Sequence, residues 1–400
     1  YDKAGNTEDS RDQTFILDTS APSSQIDQAS LTGYKNTNSF SIPTTQSDSA
    51  SGVAKLHLYF RKDGGIFTEF GNYTVGNVNF TGTGDGEYEF YTRAEDNVGN
   101  FEGDISGDTD IRIATTIVDT VNPPAVVITA YNDSGKATVL TNDTWYNHSL
   151  PYFEWLTITD DRSGLDQYYY YFGQDNAAIL TDTLDKTITD FTPDALTTLS
   201  PNGNYYFKIK ALDVAGNFSA TTTFIYKYDT TAPEFIGSPL VSPQFINADG
   251  ANSVTFTVHA TDAGSGIASI TGDLTNIGGG SAVSFTYTSG DEYKLIVTPP
   301  GTVTEGTKDV NFTATDNLGN EAFMVLVEVK IDKTAPSAMI TNVLPTTIIA
   351  GETLNLSYTA SDTGGSGVNY VELYTWHGSG SYAKYDGNYT GGSIAFPTTG

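Results

Sequence analysis

Tyr205-Tyr-Phe-Lys-Ile-Lys-Ala-Leu-Asp-Val-Ala-Gly-Asn217 decides the fold of this chain. Tyr205, Phe207, Ile209 and Ala211 alternate with Tyr206, Lys208 and Lys210, the period-two pattern of a half-buried strand. Asp213-Val-Ala-Gly-Asn217 then reads as a tight turn, with Gly and Asn expected to supply its positive φ angles. The pattern returns elsewhere. Tyr88, Phe90 and Ala94 lead to Asp96-Asn-Val-Gly-Asn100, and Val310, Phe312 and Ala314 lead to Asp316-Asn-Leu-Gly-Asn320. The chain itself opens on Asp2-Lys-Ala-Gly-Asn6. Ala stands two residues before Asp in all three strand-led copies, as the tapering end of a core requires.

Two more phrases recur in fixed order around the first. One is Asp18-Thr-Ser-Ala-Pro22, Asp119-Thr-Val-Asn-Pro123, Asp229-Thr-Thr-Ala-Pro233 and Asp332-Lys-Thr-Ala-Pro336. The other is Asp48-Ser-Ala-Ser-Gly-Val53, Asp160-Asp-Arg-Ser-Gly-Leu165, Asp262-Ala-Gly-Ser-Gly-Ile267 and Asp362-Thr-Gly-Gly-Ser-Gly-Val368. The Pro-ended phrase recurs after 101, 110 and 103 residues, too long for a solenoid unit and right for a domain. The phrases divide the chain into the end of one domain (1–19), three whole domains (20–119, 120–230 and 231–333) and an unfinished one (334–400), with boundaries expected near Ala21, Asn122, Ala232 and Ala335. The last segment carries its Ser-Gly phrase and stops before an Asp-x-x-Gly-Asn, so the polypeptide is expected to continue past Gly400, or a neighbouring subunit to donate the missing strands.

Strand patterns fill the space between phrases. Val254, Phe256, Val258 and Ala260 share one face, as do Leu354, Leu356, Tyr358 and Ala360, and Phe323–Ile331 reads as a closing strand. About seven short strands per hundred residues, separated by turns, is the signature of an all-β fold: tandem immunoglobulin-like β-sandwich domains joined end to end.

Composition narrows the role. Lys and Arg total only 19 against 48 acidic residues, a net charge of −29 that excludes nucleic acid and disfavours anionic lipid as partners. Without a cysteine there is no disulfide, thiolate zinc site or thiol catalysis. No apolar run is long enough to span a membrane. Asn72, Asn79, Asn132, Asn142, Asn147, Asn217, Asn311, Asn355 and Asn388 lie in glycosylation sequons.

The order strand, Asp-x-x-Gly-Asn, strand, Asp-Thr-Thr-Ala-Pro resembles the bacterial immunoglobulin-like repeats of large cell-surface adhesins, stalks and surface-layer proteins. The resemblance covers nearly the whole chain. It implies a two-sheet sandwich, tandem assembly, an extracellular place on the cell surface and calcium near the domain junctions. Partners would be other copies of the chain or extracellular ligands, glycans among them. Asn122 departs from the pattern by replacing the usual Ala, and 23 residues rather than 16 separate Asp96 from Asp119, which places an insertion around Gly103–Asp110.

In an immunoglobulin-like sandwich the entering linker, the B–C loop and the F–G loop share one end. The Ser-Gly phrase reads as B–C and Asp-x-x-Gly-Asn as F–G. Each domain should then unite three carboxylates: Asp18, Asp48 and Asp96; Asp119, Asp160 and Asp213, with Asp161 in reserve; Asp229, Asp262 and Asp316. Asp332 and Asp362 begin a fourth set. Carboxylates so grouped repel unless a cation sits among them, and Ca2+, which accepts six to eight oxygens in loose geometry, suits them better than magnesium or zinc. The alternative is that each Asp caps a turn through local N–H groups.

Catalysis is not expected. His57, His148, His259 and His377 fall in separate domains or phases, His259 reads as a surface residue, Gly278-Gly-Gly280 reads as a loop, and no Gly-x-Ser-x-Gly elbow occurs. The alternative function is an array of carbohydrate-binding modules using exposed aromatic residues. Tyr168-Tyr-Tyr-Tyr-Phe172 should turn two or three rings outward, and Phe153 and Trp155 are further candidates for exposure.

Overall fold

The computed structural model describes residues 1–8, 12–15, 17–31, 33–74, 76–193, 203–376 and 378–398; His377 lies outside them. Among the described residues, helix is limited to single turns at Gln28–Leu31 and Thr275–Ile277, and the rest of the regular structure is strand. The strands form tandem immunoglobulin-like sandwiches. Every sheet draws its strands from within one repeat. Two compact units result, one holding the first two sandwiches and the other the third sandwich with the last segment.

In the first sandwich a five-stranded sheet runs Tyr34–Lys35, Ala114–Val118, Gly86–Asp96, Val53–Lys62, Thr68–Tyr73. Two short pairs oppose it, Ser23–Ile26 with Thr44–Ser47 and Ser39–Ile42 with Val78–Thr81. Ile26, Ile42, Val78 and Phe80 of the short pairs meet Leu56, Leu58, Tyr88 and Phe90 of the large sheet in one core. The third sandwich repeats the plan. Phe245–Ile246, Glu321–Ile331, Gly306–Asp316, Ile267–Asp273 and Val283–Ser284 make one sheet; Glu234–Phe235, Val254–Thr261, Glu292–Val297 and Thr286–Ser289 make the other. In both repeats the first strand of the large sheet lies parallel to the last of the repeat, Tyr34–Lys35 beside Ile117–Val118 and Phe245–Ile246 beside Lys330–Ile331. Two-residue strands carry no readable period, so sequence alone does not reveal them.

The alternating residues fall where their period places them. Tyr88, Phe90, Ala94, Tyr205, Phe207, Ile209, Ala211, Val310, Phe312 and Ala314 are all buried, and so are Val254, Phe256, Val258 and Ala260. A bulge recurs at the start of the strand after the first three Ser-Gly loops, between Val53 and Lys55, Leu165 and Gln167, and Ile267 and Ser269. Ahead of it Val53 pairs with Asp96, Leu165 with Asp213 and Ile267 with Asp316, so the Ser-Gly loop emerges directly opposite the turn aspartate. The insertion is an ordered loop. Arg61 holds Asp108 at 2.7 Å, and Arg112 donates to the carbonyls of Gly103 and Asp104 and to the Asp110 carboxylate.

The second sandwich corrects two expectations. Phe153 and Trp155 are buried, because the strand Tyr152–Trp155 lies between Ile128–Tyr131 and Asp190–Phe191 with that parity turned inward. Phe153 stacks on Phe207 at 4.5 Å, while Leu156 is the exposed neighbour. In the tyrosine run, Tyr168 is fully buried and Phe172 packs on Phe153, Phe191 and Tyr205. Tyr169 and Tyr171 point the other way but are half-covered, Tyr169 by Phe218 and Lys210, and Tyr171 by the loop whose Asp175 N–H it accepts.

Because the cores of the first and third sandwiches are each confined to their own repeat, damage should stay local. Phe312 packs against Phe256 and Phe285. Phe312→Ala should cost about 3–5 kcal/mol. Hydrogen exchange should rise across residues 254–331 and stay unchanged across 86–96.

Candidate metal centres at the loop ends of the repeats

The Asp-x-x-Gly-Asn turn has the same geometry in all four copies. The Asp N–H donates to the Asn carbonyl at 2.9 Å for Asp2 and 3.1 Å for Asp96, Asp213 and Asp316. One carboxylate oxygen of each Asp accepts the Asn backbone N–H, and the other accepts the Asn side-chain amide at 2.7–2.8 Å. Positive φ is confined to the glycines, Gly5, Gly99, Gly216 and Gly319; Asn takes none and serves as a clamp, contrary to the expectation for it. Asn100 Nδ2 reaches back to the Asp18 carbonyl at 3.3 Å, and Asn217 Nδ2 to the Asp119 carbonyl at 2.8 Å. The residue after Asp ties the turn to the Ser-Gly loop, with Asn97 Nδ2 donating to the Ser51 and Gly52 carbonyls and Asn317 Nδ2 to those of Ser265 and Gly266. Sequence reading missed both roles, although Asn at these positions was the available signal.

The linker aspartates close the arrangement. The Ser N–H of each Ser-Gly loop donates to the linker carboxylate: Ser51 to Asp18 (2.8 Å), Ser163 to Asp119 (2.9 Å), Ser265 to Asp229 (2.6 Å) and Ser366 to Asp332 (2.9 Å). The following Gly N–H donates to the loop's own aspartate: Gly52 to Asp48, Gly164 to Asp160, Gly266 to Asp262 and Gly367 to Asp362. Gly264 sits so near the Asp229 carboxylate that a Cβ there would lie 2.2 Å from its oxygen.

Three triads are thereby brought together: Asp18, Asp48 and Asp96; Asp119, Asp160 and Asp213; Asp229, Asp262 and Asp316. In each, one oxygen per residue lies within 4.8 Å of the others. The linker and turn aspartates are buried and the Ser-Gly aspartate is half-buried. Asp161 is exposed and outside its triad, and Asp332 with Asp362 repeats the linker and loop contacts. The ion pairs of the described residues, such as Arg61–Glu89 and Lys384–Glu372, lie elsewhere. Burial raises the Asp262 pKa, the Gly266 N–H opposes, and Asp229 and Asp316 add repulsion. Burial also pushes Asp316 upward, but the Asn320 amide and the Asn320 and Leu318 N–H groups hold it below its usual value.

The residues fit a hard cation. All three donors of each triad are carboxylate oxygens, and oxygens each 2.3–2.6 Å from a shared calcium would lie within about 5 Å of one another. Asp48 Oδ1 is a buried oxygen without a hydrogen-bond partner, the kind of orphan that an ion satisfies. Turn capping and ion binding are compatible here, since the N–H groups occupy some carboxylate lone pairs and leave others.

Of the sequon residues, Asn72, Asn79, Asn142, Asn147, Asn311, Asn355 and Asn388 are exposed and Asn132 is half-buried. The Asn217 amide is committed to Asp119 and Asp213. His259 is a partly exposed partner of Asp291 at 2.9 Å.

No protein-family model matches the chain, and no curated protein does. Solved structures similar to it include fibronectin(III)-like modules of Clostridium thermocellum CbhA, at 13% identity and TM-score 0.32, covering 52% of this chain and 94% of that one. A tetra-tandem repeat from the extending region of a large adhesion protein is 18% identical with TM-score 0.30, covering 95% and 91%. The FN1–FN3 domains of chicken CNTN1 are 10% identical with TM-score 0.26, covering 75% and 99%.

Two outcomes test the centre's energetics. Asp316→Ala strips the acceptor from three hydrogen bonds, to Leu318 N–H, Asn320 N–H and Asn320 Nδ2, and should destabilise the third sandwich by about 2–4 kcal/mol in denaturant titration. The pH dependence has a definite sign. Asp262 has a folded pKa above the ordinary 3.8, so the folded state binds its proton more tightly and stability falls as pH rises from there through the raised value. Asp316 acts oppositely, its contribution being lost as pH falls through its lowered value. In chelator-treated buffer Asp262→Asn should remove the loss on the alkaline side and leave the acid limb.

Proposed function

We propose that this chain is a non-catalytic, extracellular structural segment of a large cell-surface protein of the bacterial immunoglobulin-like type, a stalk, adhesin or surface-layer component. Calcium held by the aspartate triads fixes each entering linker to the loops of the repeat it leads into. The observation that carries the reading is the recurrence of the triad, three times with the same hydrogen-bond wiring, in a chain of net charge −29. A lone acidic cluster is commonplace; one rebuilt at each repeat from three separated segments has a shared purpose.

When bound, calcium supplies charge neutralisation and a multi-oxygen hub. The chain's own residues do the rest. The Ser and Gly N–H groups orient the linker and loop carboxylates, and the Asn clamp fixes the turn carboxylate before any ion arrives. That preorganisation lowers the cost of assembling the site. The glycan-array reading finds little support in the Tyr168–Phe172 run, whose rings are spent on packing.

Binding to the folded state alone adds about 1.4–2.7 kcal/mol per site at ten to a hundred times Kd. Millimolar calcium should raise the melting temperature of the parent chain, and chelator should reverse it. Asp48→Asn, Asp160→Asn and Asp262→Asn combined should abolish the shift while keeping the fold by circular dichroism. An unchanged melting curve and unchanged small-angle scattering on chelation would sink the calcium reading and leave the aspartates as turn caps.

A further inference from the structure

A fourth short phrase recurs with the repeats, an aromatic residue two before an asparagine: Tyr34-Lys-Asn36, Trp145-Tyr-Asn147 and Phe245-Ile-Asn247. Each asparagine directly follows the short strand at the edge of its large sheet, Tyr34–Lys35, Thr144–Tyr146 and Phe245–Ile246. The carbonyl just before it accepts the N–H of the next linker aspartate: Lys35 from Asp119 at 2.9 Å, Tyr146 from Asp229 at 2.9 Å and Ile246 from Asp332 at 3.1 Å. The phrase is thereby fixed beside the linker that leaves its own repeat. A threonine fastens that linker again, since Asp85 accepts the Thr120 N–H and hydroxyl at 3.1 and 2.8 Å, and Glu305 accepts the Thr334 hydroxyl. From this position two of the asparagines reach forward. Asn36 Nδ2 donates to the Gly216 carbonyl at 3.5 Å, and Asn147 Nδ2 to the Leu318 carbonyl at 3.4 Å. Gly216 and Leu318 are adjacent positions of the Asp-x-x-Gly-Asn turn. Asn36 and Gly216 belong to one compact unit, and Asn147 and Leu318 to the other. A Cβ on Gly216 would lie 3.3 Å from Asn36 Nδ2, so the glycine also makes room for the approach.

We propose that the exit end of the first sandwich is an interaction surface whose partner is the Asp213–Asn217 turn of the second, with Asn36 the residue that locks their relative tilt. The turn consumes its own donors, because the Gly216 and Asn217 N–H groups both go to the Asp213 carboxylate. What it offers outward is carbonyl oxygen, so the donor must come from the preceding sandwich. Asparagine meets that need with a short side chain, an amide donor and no charge. In a chain of net charge −29, a lysine there would be drawn to the carboxylates of the neighbouring triad, and an aspartate would set negative charge against the carbonyl. The linker alone does not set the tilt, since a single chain crossing leaves rotation about its own bonds. A contact away from the linker removes that freedom. Its recurrence at Asn147 shows that the geometry is built into the repeat rather than into one loop. The lock does not rest on the calcium reading, since neither Asn36 nor Gly216 belongs to a triad.

The test uses the whole 400-residue chain. It has no cysteine, so Asn72→Cys and Thr183→Cys, on edge strands of the first and second large sheets, give a selective pair of spin labels. The distance distribution between the labels reads the tilt of one sandwich on the other. Asn36→Ala removes the donor and should raise the population outside the parent's main distance peak about two- to tenfold, the factor that one net hydrogen bond is worth. Asn36→Asp should broaden the distribution at least as much. Asn36 is exposed, so both variants should keep the parent's circular dichroism and melting curve. The broadening should appear in calcium and in chelator alike. A parent indifferent to calcium, with Asn36→Ala still broadened, would support the lock while the calcium reading fails. A distribution unchanged by both substitutions, or broadening seen only with calcium present, would overturn the lock.

Discussion

The bond from the Ser-Gly loop's Ser N–H to the linker carboxylate, made at 2.6–2.9 Å in every repeat, is the contact on which the loop end of each sandwich depends. It joins segments more than thirty residues apart and seats one acid beside two others. Such an assembly is expensive. Buried carboxylates lose hydration and repel, and each is tolerated only because backbone N–H groups point at it. The bulge after the Ser-Gly loop and the Gly-enabled turn after the F–G aspartate place those donors correctly. The strand register, the turn and the linker are thus parts of one electrostatic arrangement.

Much of this was legible in the residues. Val254, Phe256, Val258 and Ala260 announce a strand because alternation maps onto burial without help from the rest of the fold. The triads were legible because three phrases in fixed order, placed on a known sandwich end, leave little freedom. What failed depended on partners distant in sequence. Nothing near Phe153 and Trp155 tells which parity of their strand faces the core; Ile128–Tyr131 and Asp190–Phe191 decide it. The Asn of Asp-x-x-Gly-Asn was assigned a backbone task because one of its side-chain acceptors, the linker carbonyl, lies some eighty to a hundred residues away, although the other, the carboxylate of the turn's own Asp, is only four residues back.

The repeats share their loop ends and differ on their outward sheet faces. The first carries His57 between Glu69 and Glu95, stacked tyrosines and an arginine-pinned insertion. The second carries half-covered tyrosines, and the corresponding stretch of the third carries Ser269, Thr271 and Asp273. A scaffold whose wiring is constant leaves the faces free to diverge, and recognition resides in such grafted surfaces more than in the fold.

The parallel pairing of the large sheet's first strand with the last strand of the repeat has a mechanical consequence. Tension drawing the two ends of a repeat apart pulls Tyr34–Lys35 and Ala114–Val118 past each other along their length. The bonds from Ile117 N–H to Gly33 and from Asp119 N–H to Lys35 are then loaded together instead of opening one after another, as a zipper would. In the third repeat Lys330 N–H to Gln244 and Asp332 N–H to Ile246 take the same shear. Asp119 and Asp332 are also linker aspartates, so the residue that bears the load at the end of one sandwich is bonded to the Ser-Gly loop of the next segment. Force would pass from repeat to repeat through a residue held on both sides, in a chain that has no disulfide to carry it.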